Sequence, residues 1–137
     1  MKVKFYDIVS DDLLKFAVVV SRADGKWVMC KHKMRDTLES PGGTREKGET
    51  ILETARRELY EETGALEYTI EPVFVYSVND GNIETFGMLY FAEIHSFEEE
   101  LHSEIEKIYL LNNLPSNWTY PMIQPYLIKE IIKRNYV

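Results

Sequence analysis

Glu58, Glu61 and Glu62 place three carboxylates at the i,i+3 and i,i+4 separations that bring side chains to one side of a helix. With Ile51 at zero and about 100° per residue, Ile51, Ala55, Leu59 and Leu52 fill an arc of roughly 0 to 100°, the face expected to be buried. Glu61, Glu58 and Glu62 fall at roughly 280, 340 and 20°, beside that arc and partly within it, while Arg57, Glu53 and Tyr60 take the outer side. A merely solvated charged face would hold its acids opposite the apolar stripe, and Glu58 and Glu62 break that rule. The like-charge pairs cost about 0.2–0.5 kcal/mol each. Their place in the C-terminal half of the helix adds a dipole penalty of up to about 1 kcal/mol. A divalent cation relieves all of these penalties together, because carboxylate oxygens converging on a partly buried point are a hard-cation site.

Mg²⁺ suits such a site better than Zn²⁺, with Mn²⁺ the alternative occupant. His32, His95 and His102 show no ligand spacing with one another or with Cys30, and each is expected as a strand or surface residue. The stretch Gly43-Thr44-Arg45-Glu46-Lys47-Gly48-Glu49-Thr50 imitates a P-loop with Glu49 in place of the lysine. A carboxylate there would repel the phosphates, so a P-loop NTPase is rejected.

The elements that must position these acids are punctuated clearly. Thr50-Ile51-Leu52-Glu53 fits a capping box and Gly64 a left-handed stop, which predicts a helix from Ile51 to Thr63. Before it, the apolar runs from Phe16 to Ser21 and from Trp27 to Lys31 flank Asp24-Gly25, a hairpin signal. After it, Val73 to Val78 and Phe86 to Ile94 flank Asn79-Asp80-Gly81-Asn82, and Ile108 to Leu111 suits a short further strand. A last helix should start near Pro125 and pack a stripe of Leu127, Ile128, Ile131 and Ile132. With no repeat or linker, residues 1–137 read as a single α/β domain, a small sandwich.

The residues then spell a known pattern. Gly43, five residues, Glu49, seven residues and Arg57-Glu58-Leu59-Tyr60-Glu61-Glu62-Thr63-Gly64-Ala65 resemble the Nudix box of the Nudix hydrolase family, preceded by Pro41-Gly42. Ala65 alone departs, standing where the family usually has a larger aliphatic. The resemblance implies an α/β/α sandwich with a mixed sheet, a loop-helix-loop motif and a C-terminal helix. It implies that Glu58, Glu61 and Glu62 bind Mg²⁺, with the Gly42 carbonyl a further ligand, Glu49 a supporting or ligating acid and Arg57 the residue that orients the glutamates. It also implies a further glutamate from downstream, for which Glu104 is the choice, ahead of Glu100. Glu58 is expected either as the base or as the acid that holds the nucleophilic water through the metal. The reaction implied is hydrolysis of a phosphoanhydride in a nucleoside di- or triphosphate derivative, with oxidised dGTP going to monophosphate and pyrophosphate as the leading case. The alternative is a catalytically silent Nudix-fold nucleotide-binding or sensor module, a class in which the box glutamates are usually eroded; here every one is present. Arg35, Arg45 and Lys47, with Lys31 and Lys33 nearby, are the candidate cations for the substrate's remaining charge. Phe86, Tyr90 and Trp118 are the candidate stacking residues.

Charge fits this picture once it is mapped. The chain has 23 acids against 16 bases, a net −7, yet Glu58 to Glu106 holds 13 acids and no Lys or Arg. The remainder therefore carries 16 bases and 10 acids, a net of +6. Net charge alone argues against a stable nucleic-acid partner, whereas metal on the clustered acids would turn that patch into an anion site. A lone cysteine, Cys30, in an apolar run suggests a buried strand thiol. With no run of 18 apolar residues and no signal peptide, the sequence predicts a soluble, cytoplasmic protein with a small-molecule nucleotide substrate and no membrane contact. Nothing in it sets an oligomeric state.

Overall fold

The sheet is built outward from a central strand whose β-branched run, Val18, Val19 and Val20, is buried on both faces. In a computed structural model, which describes residues 1–100 and 104–137, the chain forms β1 (Lys2–Tyr6), a 3₁₀ turn (Asp11–Leu13), β2 (Leu14–Ala23), β3 (Lys26–His32) and β4 (Gly42–Thr44). There follow α1 (Ile51–Thr63), β5 (Ala65–Asn79), β6 (Glu84–Phe97), β7 (Ile105–Leu111) and α2 (Gln124–Lys133). Among the described residues the strand order is β1-β5-β6-β2-β3-β7, with β4 paired to β2. The β2–β6 pair is parallel and the others antiparallel, so the sheet is mixed.

Alternation along β2 makes two cores from one strand. Ala17 and Val19 face the α1 side, where they meet Ile51, Ala55 and Leu59; Val18 and Val20 face the α2 side, with Leu127, Ile128 and Ile131. Helices thus cover both faces, and the α/β/α sandwich expected of the sequence is the observed fold. Side chains at i and i+2 of a central strand anchor different helices, so the strand that carries the site is held from above and below.

The helix bounds and caps match the sequence reading. Thr50 accepts the Glu53 N–H, Glu53 accepts the Thr50 N–H, and Gly64 closes α1 at φ 75°. Two apolar assignments need correction. Leu52 is 39% and Ile132 44% exposed, while Thr54, Thr63 and Gln124 take buried places on the two helices. Leu52 and Ile132 lie at the edge of their stripes, at about 100° from Ile51 and about 140° from Leu127 on the respective wheels. β1 and β4 were not expected. β1 is short and carries lysines, and β4 consists of two glycines and a threonine, so neither has an apolar signature. β5 starts eight residues earlier than the run from Val73, because Glu67, Glu71 and Pro72 mask a strand whose register shifts between Pro72 and Phe74. His102 lies outside the described residues. No described helix is long and apolar enough to cross a membrane.

Candidate active site

The site begins with the backbone of β4. Gly42 and Gly43 pair with Val18 and Ala17 of β2, which lays the two glycines beneath the C-terminal half of α1. A Cβ on Gly43 would collide with the carboxylate of Glu58, so only glycine lets that acid approach the strand. The Gly42 N–H donates to Glu62 Oε1 at 2.6 Å. Two acids one turn apart on α1 are therefore seated against a strand edge rather than in water.

Burial governs their chemistry. Glu62 is only 6% exposed, and desolvation lifts its pKa from an ordinary 4.5 to about 8, against the Gly42 hydrogen bond and with Glu58, Glu39 and Glu61 adding repulsion. Desolvation also raises Glu58, opposed by Arg57, whose Nη1 donates to Glu58 Oε1 at 2.6 Å. Glu61 lies more openly, with Arg57 Nη1 3.5 Å from its Oε1. The helical-wheel ranking, with Glu58 and Glu62 nearer the apolar arc than Glu61, thus describes their relative burial.

Glu49 sits in the loop before α1 and is saturated with donors. Arg57 Nε and Nη2 reach its Oε2 and Oε1 at 2.7 and 3.0 Å, and Thr54 Oγ1 and the Glu46 N–H also donate to Oε1. The Arg57 fork is the main reason its pKa falls to about 2. Arg57 Nη2 also donates to the Thr44 carbonyl at 3.0 Å, so one guanidinium joins loop, β4 and helix.

The remaining sequence candidates are scattered. Arg45 is committed to the fold: Nε to the Glu49 carbonyl, Nη1 to the carbonyls of Asp11 and Leu14, and Nη2 to Asp11 Oδ2 at 2.9 Å. Lys47 is exposed in the same loop, and both cations line an open depression with Asp11, Asp12 and Glu46. Lys31 pairs with Glu106 at 2.8 Å. Arg35 donates to Glu39 Oε1 at 3.0 Å and lies over Tyr120, and these two partners line a separate cavity. Glu104 is exposed at the turn before β7, where its carbonyl accepts the Lys33 N–H at 2.9 Å.

That cavity, of about 370 Å³, opens beside Gly42 and Gly43. Its walls are Phe16, Tyr76, Tyr120 and Ile123, with Ser40, Thr85 and Gln124 as polar groups and Glu39 among its lining. The expected stacking residues are elsewhere: Tyr90 is buried in the α1-side core, Phe86 packs against that core beside Tyr6, and Trp118 packs on the α2 side. Gln124 accepts the Ser40 N–H at 2.7 Å and donates to the Ser40 carbonyl at 3.3 Å, which ties the start of α2 to the approach to β4.

Two members of the site were missed. His32 Nε2 lies 3.1 Å from Glu62 Oε2 and 3.4 Å from Glu39 Oε2, and these three residues form a group able to hold a metal ion. The available signal was period two: Cys30 and His32 share a strand face, and Cys30 sits below the same acids, its thiol pKa pushed up by burial and then by Glu62 and Glu39. Glu39 is brought in by a two-way backbone pairing with Cys30 across the loop.

Comparison with known proteins adds relatives to this geometry. The NUDIX domain profile matches residues 13–114. YtkD of Bacillus subtilis (strain 168), provisionally named an 8-oxo-dGTP diphosphatase, is 29% identical over 133 residues, covering 96% of this chain and 84% of that protein. A point mutant of the Bacillus subtilis pyrophosphohydrolase BsRppH matches with a TM-score of 0.81 and 26% identity, over 98% of this chain and 92% of that one. A C. elegans Ap4A hydrolase shares the fold at a TM-score of 0.68 and 16% identity, over 88% of this chain and 96% of that one.

Proposed function

The chain belongs to the NUDIX domain family, and on that premise we propose that it is a Mg²⁺-dependent pyrophosphohydrolase that cleaves a nucleoside triphosphate, oxidised dGTP foremost, to monophosphate and pyrophosphate. The observation that carries this reading is the seating of Glu58 and Glu62 against the Gly42–Gly43 edge, beside an aromatic-walled cavity of about 370 Å³. A nucleobase fits between Phe16, Tyr76 and Tyr120, and the triphosphate then runs past the glycines toward the acids. The name of YtkD supports the oxidised-nucleotide choice.

The oxygen donors suit a hard divalent cation: a buried and a partly buried carboxylate, Glu62 and Glu58, both with pKa values raised by desolvation. Glu58, Glu61 and Glu62 would hold it, with the Gly42 carbonyl adjoining and Glu104 as the proposed downstream acid. When bound, the ion neutralises phosphate oxygens and lowers the pKa of water.

Glu58 Oε1 is fixed by Arg57, which leaves Oε2 to take the proton of the attacking water. The water oxygen bonds to phosphorus as the bridging P–O bond between the α- and β-phosphates breaks, and the bridging oxygen leaves with the electron pair on the departing product, so that monophosphate and pyrophosphate result. Burial strengthens Glu58 as a base, and Arg57, itself locked on Glu49, keeps it aimed. Arg35, which contacts Glu39 and Tyr120 of the cavity lining, is the proposed cation for the substrate's charge. Lys47 is the exposed cation of the loop, while Arg45 serves to brace it.

The test is a panel of normal and oxidised nucleotides assayed with and without Mg²⁺. Turnover confined to the Mg²⁺ arm, with kcat/KM highest for oxidised dGTP, is expected. Glu58→Gln should lower kcat by about 10²–10⁴-fold without loss of fold. Nucleotide binding without turnover on every member would instead identify a binding module.

A further inference from the structure

His32, Glu39 and Glu62 reach one point from three parts of the chain: the end of β3, the loop before β4 and the last turn of α1. Each carboxylate has one oxygen already engaged. Glu62 Oε1 accepts the Gly42 N–H at 2.6 Å, and Glu39 Oε1 accepts from Arg35 Nη1 at 3.0 Å. Their other oxygens, both Oε2, lie 3.1 and 3.4 Å from His32 Nε2. One donor atom from each residue falls within 4.8 Å of the others.

His32 Nε2 is buried and makes no hydrogen bond, the one such buried side-chain nitrogen or oxygen among the described residues. At 3.1 Å a well-aimed ring N–H would donate to Glu62, so the imidazole is not oriented as that carboxylate's hydrogen-bond partner. Two ligands at right angles around an ion at about 2.1 Å are about 3 Å apart, close to the 3.1 Å between His32 Nε2 and Glu62 Oε2. The engaged oxygens serve as the supports that hold ligand carboxylates in place.

We propose that His32 Nε2, Glu39 Oε2 and Glu62 Oε2 form a three-donor site for a divalent cation, in which the nitrogen ligand favours Mn²⁺ over Mg²⁺. The proposal rests on the reading of Glu62 as a metal-binding acid and adds two ligands that the glutamate box does not contain. Imidazole suits first-row transition ions, whereas Mg²⁺ takes oxygen.

Calorimetry of the full chain with MnCl₂ or MgCl₂ alone, and pulsed EPR of the Mn²⁺-loaded protein, test this. Histidine-nitrogen modulation of the Mn²⁺ signal is expected, changing to the ¹⁵N pattern when the wild-type chain is grown with ¹⁵N-histidine. His32→Asn should abolish the modulation and weaken Mn²⁺ binding about tenfold or more, with less effect on Mg²⁺. Glu39→Gln should weaken Mn²⁺ but keep the nitrogen signal. Bound Mn²⁺ without histidine modulation, or modulation that survives in folded His32→Asn, overturns the proposal and leaves the glutamate-box reading standing. Failure of wild type to bind either ion overturns both. Where His32→Asn does not fold, the labelled His95→Asn and His102→Asn proteins, both expected to keep the modulation, identify His32 as its source, and loss of the modulation in either overturns the assignment.

Discussion

Arg57 lays its guanidinium across Glu49, Nε to Oε2 at 2.7 Å and Nη2 to Oε1 at 3.0 Å, eight residues back along the chain. The same group holds Glu58 Oε1 at 2.6 Å, so the loop acid and the proposed base share one planar clamp. Lysine keeps the charge but has no fork. Arg57→Lys should therefore lower kcat about 10–100-fold, because Glu58 loses its aim, while KM changes far less. The pair is partly exposed, so melting should shift only slightly. Equal loss in KM and kcat would assign Arg57 to substrate contact instead.

How much of this was legible in the sequence depends on how each signal is carried. Periodicity and caps are local, and they place α1 to the residue because Thr50, Glu53 and Gly64 each act within one turn. Burial of Glu58 and Glu62 was readable too, since the wheel sets them beside Ile51 and Leu59. The pairing of Glu39 with Cys30 was not, because it depends on how an irregular loop returns to β3. The cavity was missed for a related reason: Phe16, Tyr76 and Tyr120 come from separate elements, and only the sheet register and the segment before α2 bring them together. Arg45 read as a substrate cation because it lies in the loop between Gly43 and the helix, close in sequence to the acids, whereas its donors engage Asp11, Leu14 and Glu49.

Gly87 of β6 sets the depth of the aromatic wall. A Cβ there would stand 2.5 Å from Phe16 Cδ2 and 2.8 Å from Tyr76 Cζ, and neither ring is a flexible chain end. The ring centroids are 6.0 Å apart, so the added methyl must drive them toward the cavity. Gly87→Ala should raise KM roughly tenfold or more and leave kcat within about threefold, because the acids on α1 are untouched. Overpacking should also cost about 1–3 kcal/mol of stability, measurable by denaturant unfolding. Unchanged KM with a full set of nucleotides would remove this pair from the substrate wall.

Glu62 makes the stability of the metal-free protein depend on pH in a direction opposite to Glu49. Folding raises Glu62 from 4.5 to about 8, so the folded state keeps a proton that the unfolded chain releases in that interval. Its contribution is complete below about pH 4.5 and is lost as pH climbs toward 8. Glu49, lowered to about 2, contributes above its ordinary 4.5 and loses that contribution only as pH falls toward 2. Between pH 5 and 8 the Glu62 effect therefore acts alone of the two, and the direction for Glu58, also raised by burial, reinforces it. Melts in EDTA should show Tm falling by roughly 5–10 °C from pH 5.5 to 8. Binding of a cation to the ionised carboxylates releases the proton, so added Mg²⁺ should raise Tm more at pH 8 than at pH 6. A Tm in EDTA that rises across this range would show that Glu62 is ionised in the folded, metal-free chain, and Glu62→Gln, which cannot ionise, should flatten the slope if the carboxylate is its source.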